Sequence, residues 1–167
     1  MAKQTTLHAV ILAITLAIPL QLATAAPQLI WKYKTQGGYT SGAAIYEGKV
    51  YFGSAHTLYA NCLDAETGQE KWRYETGSLV DSGFAVYEGR VYFGSLDWYA
   101  YCLDAETGEL LWKYKTGDWI ASGFAVWDGK VYFGSSNNYV YCLDANTGEL
   151  LWRYRTGGGV VSGFAVW

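Results

Sequence analysis

The chain has 167 residues, 51% hydrophobic and 17% aromatic, with 8 Trp, 15 Tyr, 20 Gly and only 2 Pro. That mixture excludes the disordered, collagenous and low-complexity classes. Lys and Arg total 12 against 15 Asp and Glu, and the net charge of -3 excludes a basic nucleic-acid-binding tail.

The first element in chain order is an address rather than part of a fold. Lys3 precedes an apolar run over residues 9–20, and Ala23-Thr24-Ala25 follows it. As a helix this run spans roughly 18 Å, short of a ~30 Å hydrocarbon core. Residues 1–25 therefore read as a secretory signal cleaved after Ala25, the alternative being an uncleaved anchor. The mature chain is expected to be exported, in the periplasm, outside the cell or on its surface, with no membrane span. No Cys lies near the cleavage position to take a lipid.

From residue 31 onward the chain repeats itself. Trp31, Trp72, Trp112 and Trp152 recur at spacings of 41, 40 and 40, each followed by a Lys- or Arg-bearing strand, an S-G-[AF]-A-[IV] run, a V-Y-F-G-S run and C-L-D-A-x-T-G. The extra residue of the first unit falls between Ser54 and Cys62, which marks that segment as a loop. In the second unit the strand-forming runs are 83–87, 91–94, 99–103 and 110–115, rich in β-branched and aromatic residues. Glu47-Gly48, Glu88-Gly89 and Asp128-Gly129 join the first two runs of successive units, so these pair as tight hairpins. Four antiparallel strands per repeat predict an all-β protein, a β-propeller with blades at about 41–76, 82–116 and 122–156. A leading outer strand at 30–35 and a trailing inner strand at 162–167 are expected to flank them, as parts of a larger ring of seven or eight blades. In the fourth strand of each blade aromatics alternate with Lys and Arg. This places the charges on the face opposite the aromatics, which argues against a nucleic-acid platform.

The segment Cys102-Leu103-Asp104-Ala105-Glu106-Thr107-Gly108-Glu109-Leu110-Leu111-Trp112, repeated from Cys62 and from Cys142, resembles the tryptophan-docking motif of pyrroloquinoline-quinone-type propeller repeats. Cys replaces the small Ala of that motif in all three copies. The resemblance implies that each Trp lies between neighbouring blades, with the Asp and the Thr-Gly backbone locking around the ring. It would assign this role to Asp64, Thr67, Gly68 and Trp72, to Asp104, Thr107, Gly108 and Trp112, and to Asp144, Thr147, Gly148 and Trp152. Equivalent positions on adjacent blades are too far apart to bridge, so Cys62, Cys102 and Cys142 are expected to be buried free thiols.

A residue present in every unit serves the blade, whereas a site is assembled from residues that differ between units. The differing residues fall in the loop after the fourth strand and the loop between the second and third. Both emerge at one end of a four-stranded meander, and Tyr39, His56, Trp98, Trp119 and Asn138 are its candidate binding residues. No catalytic, cofactor-binding or metal-ligating constellation occurs. The expectation is a non-enzymatic exported module that binds or scaffolds a protein or other envelope component. It would be similar to the propellers of outer-membrane assembly factors and of cell-surface proteins. The alternative is part of a quinoprotein dehydrogenase, for which the resemblance would imply pyrroloquinoline quinone and calcium. An isolated chain is also expected to self-associate through open blade flanks, the alternative to a truncated gene product being a ring closed between chains.

Overall fold

A computed structural model describes residues 29–35, 42–54 and 56–164. The expected signal segment, residues 1–25, lies outside them. Twelve strands form three sheets of four. The first holds β1 (Ala44–Tyr46), β2 (Lys49–Gly53), β3 (Tyr59–Asp64) and β4 (Glu70–Glu75). The second holds β5 (Ala85–Tyr87), β6 (Arg90–Gly94), β7 (Tyr99–Asp104) and β8 (Leu110–Lys115). The third holds β9 (Phe124–Trp127), β10 (Lys130–Ser135), β11 (Tyr139–Asp144) and β12 (Leu150–Arg155). Each is an antiparallel meander, and the three stand as blades of an open arc.

Local chemistry explains each element. The first hairpin of each blade turns on a pair with positive φ at both positions, Glu47 and Gly48 at 45° and 70°, and likewise Glu88-Gly89 and Asp128-Gly129. This is the tight turn whose twist matches the flanking strands. At the other end Asp64 Oδ1 accepts from the Thr67 amide at 2.9 Å and from the Thr67 hydroxyl at 2.9 Å, and Gly68 follows at φ 70°. Asp104 and Asp144 repeat the arrangement. The third and fourth strands of every blade slip by one residue immediately beyond the Cys–Trp pair, at Cys62/Leu63, Cys102/Leu103 and Cys142/Leu143.

The core lies between blades. One face of the first blade, with Tyr51, Ala60, Cys62 and Trp72, packs on Phe84, Val91, Phe93, Tyr101 and Leu103 of the second. The second blade packs on the third through the corresponding residues, Tyr92, Ala100, Cys102 and Trp112 against Phe124, Val131, Phe133, Tyr141 and Leu143. The Ala105 carbonyl accepts from both the Trp72 indole at 3.1 Å and the Tyr51 hydroxyl at 3.1 Å. Ala145 does the same for Trp112 at 3.0 Å and Tyr92 at 3.2 Å. A side chain on Gly108 would stand 2.7 Å from the Trp72 ring, and one on Gly148 would stand 2.6 Å from Trp112. Trp152 faces no further sheet among the described residues and is 47% exposed, against 9% for Trp72 and Trp112.

The two flanking segments of the sequence reading, 30–35 and 162–167, lie at the limits of the described residues. Residues 30–35 pair with no strand among the described residues, although the Trp31 indole donates to the Ala65 carbonyl at 2.8 Å. A strand exists only through its ladder, and the described residues hold no partner strand for this one. Residues 162–164 likewise form no strand, and 165–167 lie outside the described set. The outer-strand cations also do more than face solvent. Arg73, Lys113 and Arg153 lie 5.2, 4.7 and 4.7 Å from the ring centres of Tyr59, Tyr99 and Tyr139.

Candidate functional site at the loop end of the blades

Backbone hydrogen bonds gather the two variable loops at one end. The Thr76, Thr116 and Thr156 amides, just past each fourth strand, donate to the carbonyls of Leu58, Trp98 and Asn138 at 2.7, 2.9 and 2.8 Å. Across to the next blade, the Leu96 amide donates to Leu79 and the Ser136 amide to Trp119, both at 2.9 Å. Ser95 and Ser135, fully buried, support these linkers through hydroxyl bonds to the Leu79 and Trp119 carbonyls at 3.1 and 3.0 Å.

Trp98 and Trp119 flank the linker that holds Thr116 and Asp118, and both present indoles to solvent at 42% and 55% exposure. Trp98 holds φ at 76°, a conformation costly for a bulky side chain, and Lys115 lies 5.5 Å from its ring centre. Asn138, its counterpart in the third blade, holds φ at 71°, where Asn is tolerated, and is half-buried. His56 is exposed on the first blade's loop, with its amide toward the Ser54 hydroxyl at 3.5 Å. Tyr39 lies outside the described residues; the repeat aligns it with Val80 and Ile120, both fully buried. The structure thus places Trp98 and Trp119 on loops joined through Thr116, and Asn138 and His56 on neighbouring blades at the same end.

Sequence reasoning missed a second group at this end because it lies partly in a strand. In the second blade the Asp97 carboxylate accepts from the Gly77 amide at 2.8 Å, the Tyr99 amide at 3.1 Å and the Tyr101 hydroxyl at 2.5 Å. Burial and that carboxylate push the Tyr101 phenol well above its ordinary pKa. In the third blade Asn137 takes the place of Asp97, donating to the Thr116 carbonyl at 2.8 Å and to Tyr141 at 2.7 Å. In the first blade the shared Thr76–Leu58 bond fixes the register, so the corresponding residues are Thr57 and Asn61. Tyr74 stands against Tyr101 and Tyr114 against Tyr141, with ring centres 5.8 and 5.9 Å apart. Tyr33, their counterpart, meets Phe52 instead at 5.7 Å.

A cavity of about 80 Å³ opens there, lined among others by Lys34, Ser54, Thr57, Tyr59, Asn61 and Arg73. Beside it Ala43 stands where Phe84 and Phe124 complete three-ring stacks in the other blades. An apolar hollow of about 220 Å³ lies against Ala43 and Phe52. The signal was present in the third strands, which read Tyr-Ala-Asn-Cys, Tyr-Ala-Tyr-Cys and Tyr-Val-Tyr-Cys.

The carboxyls and thiols that recur in every blade belong to the scaffold. The Thr67 amide and hydroxyl hold the Asp64 carboxyl down at about 2, and Thr107 and Thr147 lower Asp104 and Asp144 in the same way. Cys62, Cys102 and Cys142 are free and buried, and burial pushes the first two thiols up to about 11 and about 12. The described residues gather no cluster of three or more His, Cys, Asp or Glu side chains. No helix among the described residues is long and apolar enough to cross a membrane.

The family model for outer membrane protein assembly factor BamB matches residues 21–118 and 97–166. No curated protein sequence matches the chain. Among solved structures it is similar to the quinohemoprotein alcohol dehydrogenase ADHIIG from Pseudomonas putida HK5, at 29% identity and a TM-score of 0.61. That match covers 68% of this chain and 20% of that one. BamB from Moraxella catarrhalis is similar at 23% identity with a TM-score of 0.67, over 75% of this chain and 39% of that one. The computationally designed Ika4 protein shares 19% identity with a TM-score of 0.73, over 82% and 86% of the two chains. This chain thus spans about a fifth of the dehydrogenase and about two fifths of the assembly factor.

Proposed function

Because the chain belongs to the family of the outer membrane protein assembly factor BamB, we propose that it is a non-enzymatic propeller-repeat module that binds another protein at the cell envelope. The observation that carries this reading is the pair of exposed indoles, Trp98 and Trp119, held at one end of a rigid set of blades. Exposed Trp is the side chain most over-represented where protein partners bind tightly. Trp98 is also kept in a backbone conformation that its neighbour blade fills with Asn, and retained strain of this kind points to a demand other than stability. Export agrees with the family's place at the outer membrane and with the leader read in residues 1–25.

The likeness to quinoprotein dehydrogenases is accounted for by the shared blade. The reading is tested by placing a photocrosslinking side chain at position 119 in the living source cell. One defined envelope-protein adduct is expected, and that partner's affinity should fall about tenfold or more in Trp98→Ala with Trp119→Ala. Unchanged affinity in that double variant would contradict it.

A further inference from the structure

At the loop end the blades place their own cations on their own rings. Arg73 lies 5.2 Å from the ring centre of Tyr59, Lys113 4.7 Å from Tyr99 and Arg153 4.7 Å from Tyr139, and Lys115 lies 5.5 Å from Trp98. Trp119 departs from this pattern. Its indole is 55% exposed, and no Lys or Arg among the described residues lies over it. Next to it the Asp118 carboxylate accepts from the Trp119 amide through Oδ1 at 2.8 Å and makes no ion pair among the described residues.

The backbone that presents this pair is the same in all three blades. The Thr76, Thr116 and Thr156 hydroxyls donate to the carbonyls of Ser78, Asp118 and Gly158 at 2.6, 2.8 and 2.6 Å. That shared bond aligns Asp118-Trp119 with Ser78-Leu79 and with Gly158-Gly159, so the acid and the indole recur in neither. The scaffold needs neither side chain, since Ser-Leu and Gly-Gly make the same bond. Trp119 is also held from its far side, its carbonyl accepting from the Ser136 amide at 2.9 Å and from the Ser135 hydroxyl at 3.0 Å. The segments that hold the pair, 116–120 and 135–136, lie wholly within the described residues.

A guanidinium is flat enough to stack on an indole while its N–H fork reaches a carboxylate beside the ring. The stacking half of this arrangement is already made within the chain by Lys115, which lies over the rings of Trp98 and Tyr99 and does not pair with Asp118. We propose that Asp118 and Trp119 form the docking point for an arginine side chain of the protein partner. A basic partner also suits a chain of net charge -3. The inference rests on the reading of this end as a protein-binding face and names the chemistry that the face takes.

NMR spectra of the full chain would be titrated with three end-blocked tripeptides, glycyl-arginyl-glycine, its lysine analogue and its citrulline analogue, the last keeping the shape of arginine without the charge. Weak, saturable shifts of the Gly117, Asp118 and Trp119 amides and of the Trp119 indole N–H are expected with the arginine peptide. The lysine peptide should bind less tightly and the citrulline peptide should give no saturable shift. Asp118→Asn keeps the oxygen that accepts the Trp119 amide and should weaken arginine binding about threefold or more. Asp118→Ser with Trp119→Leu writes the first linker's own pair into the second, a combination this fold already accommodates, and should abolish the shift at Gly117. No saturable shift with the arginine peptide, an equal response to lysine or citrulline, or unchanged arginine binding in Asp118→Asn would overturn the site. The broader reading fails separately, because a partner whose affinity falls in Trp98→Ala with Trp119→Ala but not in Asp118→Asn would leave the binding face standing without its arginine.

Discussion

At the scale of single residues, the repeats allow each side chain to be judged against its own counterparts. Trp112 and Trp152 are the same residue in the same register, one buried and bonded to Ala145, the other 47% exposed. Trp112→Ala in this chain should therefore cost roughly 3 to 5 kcal/mol in denaturant unfolding and Trp152→Ala well under half of that, because only the first leaves a cavity. Trp98→Asn should stabilise. Relief of the left-handed backbone is worth roughly 1 to 2 kcal/mol against about 0.5 to 1 lost with the Lys115 contact, leaving a net gain of about 0.5 to 1 kcal/mol and a raised Tm. The carboxyls of Asp64, Asp104 and Asp144 lie below their unfolded value of 3.8. Their contribution is complete above that pH and is lost as pH falls toward about 2, the Asp64 value. Tm measured against pH should accordingly fall across this window, and Asp64→Asn should make the fall shallower. The three thiols, raised by burial, should resist alkylation at neutral pH until the blades unfold.

At the scale of elements, blade architecture was legible in the sequence because hairpin chemistry is local. Glu88-Gly89 and its equivalents can be recognised as a turn without knowing anything further away, and the strands on either side lie within a residue or two of where the composition puts them. Pairing that depends on distant chain was not legible. Residues 30–35 have the composition of a fourth strand, yet they join no ladder among the described residues, since composition gives propensity and a ladder requires a neighbour. The close approach of linkers to the second strands was also hidden. A side chain on Gly94 would stand 2.2 Å from Ile120, and on Gly134 it would stand 2.3 Å from Val160. Gly94→Ala should thus destabilise by roughly 1 to 3 kcal/mol although its φ is ordinary, a cost checked by thermal unfolding. The loop end of the site was found by looking for loops that vary. Thr57 and Asn61 escaped because Asn61 sits in the third strand, a place where a repeat is expected to be uniform, and only the register bond from Thr76 to Leu58 shows which residues correspond.

At the scale of the whole molecule, three blades share two interfaces of the same composition, so the arc is built by repetition and its stability is carried between blades rather than within them. The proposed binding then falls to what the repetition leaves free, the loop end with the exposed indoles of Trp98 and Trp119. The account rests most heavily on the claim that this end, and not the outer strands, meets the partner. The direct measurement compares in-cell photocrosslinking from position 119 with that from position 111, an exposed Leu on the outer strand β8. The account predicts a discrete envelope-protein adduct from position 119 and none from position 111. Adduct formation from position 111 alone would contradict it and move the binding surface to the edge of the blades.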